Sequence, residues 1–476
     1  MAGDRGIRAI ALIALVFFGA ALRPLFLTLL LLVQQELAAW LGLPPSYMAL
    51  LIGLSVLGTL MATVGSRLVL QLVGLRQTVS LALLAILLGV GCLVAGSTCL
   101  PDQMMLRVAL TALVVFVVGL GTGLAATAMK IVVGLAGSQR RKEILDAAWS
   151  AGSPFGLCLG AAASNLHLLG STWSSGFLVV LAATLLLLLG LLGSRRLDFA
   201  PSKSSIPADY LGLALICATL LLFELWSIWA KASGWDTPAS FGLFLGMCVV
   251  GGVAIRHMKR TADAVLPLHP LRSRCFVFAL VLCLIAEIST TQEFEFLFLE
   301  DQRGLPIVAM SERTVVGNFI SFGAMVLAGV LLGRTRLVIL LLVGLLVLTA
   351  GLASYLIYPI DSSDPVIVAT RGLAGLGYGL LLPCILTLAH RDLGEKDRAA
   401  ASALLVCVLL LGNDVGLSIF PIIIDVVARV YDVTTGYFVV FVIQTVLVAS
   451  MMPLSILILK SGVGAPRPTC EHRPDP

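Results

Sequence analysis

Among the ionisable residues inside long apolar runs of the 476-residue chain, the candidates for chemistry are Arg23, Glu224, Glu287, Arg371 and Asp414. A charge at the centre of a bilayer costs about 2.5–3.5 kcal/mol on insertion scales, so such a residue faces a cavity or a partner rather than lipid. Carboxyls in that setting can take up and release protons, and arginines can hold an anion. Other chemistries lack their residues. The five histidines (His167, His257, His269, His390, His472) show no paired ligand spacing, no Walker loop occurs, and the ten cysteines are scattered without a metal or disulfide framework. An enzyme is not expected, nor a metal or cofactor. Arg371 lies near the end of its run, where a long side chain can snorkel to the interface.

The elements that must position these residues are membrane helices. Hydrophobic residues make up 59% of the chain and charged residues 12%, about half the charged share of a soluble domain. Mean hydropathy is +1.05. A span needs roughly 20 apolar residues, and runs of that order fall at 7–33, 46–69, 76–98, 105–132, 146–168, 173–194, 210–231, 239–257, 273–295, 312–333, 336–358, 365–390, 399–427 and 435–460. The fold class is therefore an all-α membrane protein of about fourteen spans. The runs are continuous rather than alternating, which argues against a β-barrel. The first is longer than the apolar core of a signal peptide and reads as a retained helix.

Loop charge orients the chain. One set of loops and termini carries Arg5, Arg8, Arg67, Arg76, Arg140, Arg141, Lys142, Arg195, Arg196, Lys203, Arg256, Lys259, Arg260, Arg272, Arg274, Arg334, Arg336, Arg391, Lys396, Arg398, Lys460, Arg467 and Arg473; the opposite set carries Arg107, Lys231, Arg303, Arg313 and Arg429. The positive-inside rule puts the first set and both termini in the cytoplasm. It also accounts for the net charge of +5 without nucleic acid.

An internal repeat organises the helices. GLGTGL at 119–124 returns as GLGYGL at 375–380, an offset of 256 (375 − 119). The same offset carries Arg140 onto Lys396, Lys142 onto Arg398, Gly156 onto Gly412 and Gly160 onto Gly416. A helix, a basic loop and the next helix thus match without a gap and in the same orientation, as in parallel repeats of transporters. The offset leaves room for one extra hairpin between two six-helix halves. The expected domains are 1–194, a linker and hairpin region 195–272, and 273–476. Glu224 falls in that hairpin, away from the halves, and ranks low as a functional residue. Gly152, Gly156 and Gly160 line one helix face, where small residues allow close packing, and Pro154 can bend the helix.

Several stretches resemble the major facilitator superfamily, in its fourteen-span drug:proton antiporter branch. They are Asp209-Tyr210-Leu211-Gly212-Leu213 with Gly234-Trp235-Asp236-Thr237-Pro238, Leu266-Pro267-Leu268-His269-Pro270-Leu271-Arg272, Gly375 to Pro383 followed by Arg398, Gly412 and Gly416, and Gly152-Ser153-Pro154-Phe155-Gly156. The loop after the second span keeps Gly74 and Arg76 but has Gln71 where the branch has an acid. Ala21-Leu22-Arg23-Pro24 looks instead like the cyanate-permease-like uptake branch.

The resemblance implies that spans 1 and 9 face each other across a central cavity. Arg23 and Glu287 would meet there at similar depth, as a coupling pair or a static ion pair. Asp414, beside Asn413, would face either the cavity or a close helix contact. The cavity set is thus Glu287, Arg23, Asp414 and Arg371, with Glu287 the leading proton carrier. Gly74, Arg76, Gly152, Pro154, Gly156 and Gly160 form the conformational and gating set, with plain packing as the competing reading for the glycines. Phe294, Phe296 and Phe298 with Glu293, Glu295, Glu300 and Asp301 form an acidic aromatic stretch that either gathers cations or is a solvated loop. The implied function is proton-coupled export of a small amphiphilic metabolite or drug by alternating access. The expected partners are substrate, protons and lipid, with the monomer active in a bacterial plasma membrane. The alternatives are an uptake permease for a small anion and a non-transporting sensor or scaffold.

Overall fold

The computed structural model describes residues 2–44, 47–99, 103–136, 138–165, 173–193, 209–261, 263–291, 295, 298–299, 304, 307–357 and 364–460. Fifteen α-helices are delimited among these residues, and no strand occurs among them. They are α1 (Ala2–Leu32), α2 (Gln34–Leu41), α3 (Met48–Val73), α4 (Leu75–Cys99), α5 (Met104–Gly134), α6 (Gln139–Ser164), α7 (Phe177–Gly193), α8 (Tyr210–Ser233), α9 (Pro238–Arg260), α10 (Arg274–Ser289), α11 (Ile307–Leu331), α12 (Leu337–Ser354), α13 (Asp364–Ala389), α14 (Glu395–Ala428) and α15 (Val433–Lys460). Eleven of them are long and apolar enough to cross a membrane. Of the fourteen runs expected, three do not meet that measure. The first turns of α6 carry Arg140, Arg141, Lys142, Glu143 and Asp146, α10 has only 16 residues, and the apolar part of α11 is Val315–Leu331.

Polar residues set where several helices begin. Ser138, Asp209, Thr237 and Ser273 each accept a hydrogen bond from a backbone N–H in the first turn of α6, α8, α9 and α10. These N-caps satisfy donors that a helix start leaves open. Gly74, with φ +85°, ends α3 and turns the chain directly into α4.

The helix pairings repeat. In the first part, α1 packs on α6, α3 and α4 on α5, and α4 on α7; in the second, α10 packs on α14, α11 and α12 on α13, and α12 on α15. Glycines explain the match. Gly119 and Gly123 of α5 lie against the α3 backbone at Ser55 and Thr59, while Gly121 lies against α4 at Ala82 and Ile86. In the same order, Gly375 and Gly379 of α13 lie against α11 at Gly317 and Ser321, and Gly377 lies against α12 at Leu348. Gly152, Gly156 and Gly160 seat α6 on α1 at Phe17, Ala21 and Leu25; Gly412 and Gly416 seat α14 on α10 at Leu284 and Ile288. Residues without a side chain let backbones touch where hydrophobic burial does not drive association. The expected boundary near 194–208 lies outside the described residues.

The α8–α9 hairpin packs on α3 and α14. Two sets of bonds anchor its ends. Asp209 accepts from the Gly212 and Val265 backbone N–H groups at 2.8 and 3.1 Å and pairs with His257 Nε2 at 2.8 Å. Burial works against the Asp209 carboxylate, but the His257 and backbone hydrogen bonds outweigh it and hold the group below its ordinary value of 3.8. At the opposite end, Arg429 bonds Asp236 at 3.0 Å and Asp425 at 2.7 Å.

The two sets of six helices meet through α6 on α11 and α13, and through α14 on α3 and α5. On the face that carries the starts of α6 and α14, Arg140 Nη1 donates to Gly329 O at 3.1 Å, and Gly134 abuts Ser402 and Arg398. These contacts join the two sets on that basic face.

Candidate functional site

A cavity of about 290 Å³ lies between the two sets. From the first it is lined by Arg23, Pro24 and Thr28 on α1 and by Trp149, Ser150 and Pro154 on α6. From the second come Glu287, Asn318, Ser321, Tyr355, Arg371, Tyr378, Asn413, Asp414 and Gln444. All four expected cavity residues, Arg23, Glu287, Arg371 and Asp414, are therefore brought to one space.

The repeat explains the depth match of α1 and α10. Gly156 packs on Ala21 O and the Pro24 ring, and its counterpart Gly412 packs on Leu284 O and Glu287 Cβ. Glu287 thus takes in the second set the place that Pro24, next to Arg23, takes in the first. Tyr378 Oη donates to Glu287 Oε1. That tyrosine varies the repeated glycine motif, replacing Thr122, and it projects from α13 at the helix contact the glycines create.

Arg371 does not merely snorkel. Its Nη1 lies 3.4 Å from Glu295 Oε2, and both side chains are largely buried. Tyr355 stacks on Phe441 with centroids 5.1 Å apart and lines the same end of the cavity. Glu295 and Phe298 of the acidic aromatic stretch are buried, so at these two positions the stretch is packed rather than solvated. Glu293, Phe294, Phe296, Glu300 and Asp301 lie outside the described residues.

The gating set is placed elsewhere. Gly152, Gly156 and Gly160 face α1, within the first set, whereas Pro154 lines the cavity. A Cβ on Gly74 would meet no atom within 4 Å. Arg76 Nη2 donates to Leu191 O and Leu192 O, each at 3.3 Å, tying the start of α4 to the last turns of α7.

Beneath the cavity floor lies a group that the sequence reading passed over. Lys130 of α5 and Asp146 of α6 form a salt bridge with side-chain exposures of 0% and 1%. Lys130 Nζ sits 5.1 Å from the centroid of Trp149, whose Nε1 donates to Ala126 O at 3.0 Å and whose ring forms part of the floor. Asp146 Oδ2 has no hydrogen-bond partner among the described residues. Across the joint, His390 Nδ1 donates to Leu386 O at 3.0 Å and Nε2 lies 3.0 Å from Ser402 Oγ. The signal was available: Lys130 ends an apolar run, as conspicuous there as Arg371 in its own.

A profile of the Major Facilitator Superfamily matches residues 10–416. The chain belongs to that superfamily. Membership places it among membrane transporters rather than enzymes. Among curated relatives, it is 28% identical over 267 residues to a "Probable actinorhodin transporter" of Streptomyces coelicolor, covering 54% of this chain and 45% of that one. It is 25% identical over 289 residues to a "Dehydrocurvularin exporter" of Alternaria cinerariae, covering 58% and 50%. The chain thus spans about half the length of the curated relatives it matches. Among solved structures, the proton:xylose symporter XylE from E. coli aligns with a TM-score of 0.66 at 14% identity, over 95% of each chain. The human organic anion transporter MFSD10 aligns with a TM-score of 0.59 at 17% identity, over 92% of this chain and 99% of that one. At these identities the structures speak to the superfamily's fold alone. The halves of that fold are the two six-helix sets whose glycines repeat here.

Proposed function

We propose that this superfamily member is a proton-coupled secondary transporter that exports a small amphiphilic metabolite or drug by alternating access. The observation that carries the reading is the cavity between the halves, which holds the Glu287–Tyr378 pair together with Arg23, Asp414 and Arg371. An ionisable group inside a membrane protein and facing a cavity is where ion or substrate coupling is expected. Glu287 is the proton carrier in this reading and Arg23 the charge that competes with the proton for it. The exporter among the relatives supports the outward direction. The basic face is cytoplasmic, both termini lie there, and the working unit is a monomer in a bacterial inner membrane. The halves are 1–194 and 273–476, with the hairpin region 195–272 between them. Gly74 and Arg76 keep α3, α4 and α7 moving as one body, and Gly152, Gly156 and Gly160 do the same for α1 and α6.

Vesicles with an imposed pH gradient test the proposal. Efflux driven by inward proton movement is the expected result. Glu287→Gln preserves shape and removes titration, so it abolishes pH-driven transport while leaving insertion and substrate binding intact. Uphill transport at the normal rate by that variant would move the coupling role to Asp414. A second reading, uptake of a small anion, draws on Arg23 and Arg371 lining the same cavity; it requires accumulation rather than efflux in the same vesicles. Absence of flux of every candidate substrate would favour a sensor or scaffold.

A further inference from the structure

The central hairpin carries an acid that the transport reading leaves unused. Glu224 of α8 is only 8% exposed. The charge that acts most strongly on it is that of Asp414 on α14, followed by that of Lys231 on its own helix. Register confirms the facing. Ser227 Oγ and Ser418 Oγ lie 2.7 Å apart, bridging α8 and α14, and Glu224 and Asp414 each lie one helical turn before their serine. Both helices run from the basic face to the opposite one, so the two acids share a depth.

A second, independent observation concerns Glu224 alone. Its carboxyl has no hydrogen bond and no salt bridge among the described residues. The α3 residue beside it is Gly53, where a Cβ would stand 3.5 Å from Glu224 Oε2. An ionised carboxylate buried without a donor is strongly disfavoured, and in practice such a group takes a proton. A second carboxylate facing it adds like-charge repulsion, and the two then titrate as one unit.

We infer that Glu224 and Asp414 form one shared proton-binding site, so that the accessory hairpin takes part in ion coupling. Asp414 lines the central cavity and Glu224 does not. Asp414 is therefore the port of the site and Glu224 its reservoir. When the cavity changes the charge around Asp414, the proton leaves the Glu224 O–H for an Asp414 oxygen and the negative charge moves the other way. The surrounding ionisable groups are few. On the Asp414 side the cavity holds Glu287, whose Cβ packs against Gly412, with Arg23, the Arg371–Glu295 pair, Tyr355 and Tyr378. On the Glu224 side, α8 itself carries Cys217 and Lys231, α3 has no ionisable residue before Arg67, and α9 has only Cys248 before Arg256.

The inference rests on the proton-coupled reading, but its test does not need a substrate. The carboxyl C=O stretch of the protein purified into lipid is followed by infrared spectroscopy across pH. A protonated-acid band that is lost in Glu224→Gln is expected. In Asp414→Asn the Glu224 band should titrate more than about one pH unit away from its wild-type midpoint, the mark of a coupled pair. A Glu224→Gln spectrum identical to wild type, or an unshifted Glu224 band in Asp414→Asn, overturns the site. In pH-gradient vesicles Glu224→Gln should lose at least tenfold in pH-driven flux while downhill exchange persists, and Glu224→Asp should restore flux. Normal driven flux in Glu224→Leu would show a packing role and also overturn the inference. A wild-type protein whose flux ignores the proton gradient would sink the transport reading instead, leaving the infrared titration to decide the site.

Discussion

Replacing Lys130 by Met removes one partner of a salt bridge that the fold encloses completely. Asp146 would be left with neither oxygen partnered: Oδ1 meets Lys130, and Oδ2 already lacks a donor among the described residues. Stranding a buried charge in this way costs about 3–5 kcal/mol. The cation–π contact with Trp149, about 2 kcal/mol when desolvated, is lost at the same time and is counted as part of that total rather than added to it. The double variant Lys130→Met with Asp146→Leu removes both charges. Replacing a buried pair by apolar residues of similar volume is often neutral or stabilising by about 1–4 kcal/mol. The single change should therefore raise the unfolding constant by two orders of magnitude or more, at roughly 1.4 kcal/mol per tenfold, and the second change should restore it. Denaturant unfolding of the detergent-purified protein, followed by tryptophan fluorescence, reads both. The reasoning fails if Lys130→Met matches wild type, or if the double variant falls by the sum of the two singles. The stable double variant then permits a functional question, because the pair sits where α5 and α6 meet the second half. Lost transport with intact stability would assign the pair to the transport cycle.

Tyr378→Phe, which removes the donor to Glu287 Oε1, should shift the pH dependence of driven flux in the same vesicles, and an unchanged profile would remove Tyr378 from the coupling machinery. Gly123→Val and its repeat counterpart Gly379→Val should each lower the yield of folded protein, because α3 and α11 backbones fill the space a side chain would need; detergent-resistant monomer on size exclusion measures this. Cysteines placed at 140, 141, 142 and 398 should resist an impermeant thiol reagent added outside intact cells, and ready labelling would invert the topology. Asp209 is held below its ordinary value of 3.8 in the fold. Its stabilisation of the hairpin is thus present above that value and lost as pH falls through the lower native one. Hydrogen exchange in the first turn of α8 should accelerate in that acid range, and Asp209→Asn should remove the dependence.

Composition and apolar run length alone established a membrane-embedded helical chain, because the bilayer imposes one length and one polarity on any helix that crosses it. The repeat was also readable, since glycines that seat one helix on another recur at a fixed spacing whenever the same packing is built twice. Arg23, Glu287, Arg371 and Asp414 could be singled out for the same reason: a charge in an apolar run is expensive wherever it stands. What a one-dimensional reading could not supply was partnership. Glu287 meets Tyr378 across 91 residues, Lys130 closes on Asp146 across a helix turnaround, and Arg371 faces Glu295 rather than the interface. Nor could it distinguish glycines that seat α6 on α1 from glycines that gate a cavity, because both leave the same stripe on a helix. Glu224 ranked low when placed by its hairpin and became informative only once α8 was seen against α14. Side-chain partners depend on how helices rotate about their axes and which faces meet, and that is decided by packing the whole bundle, not by any one helix.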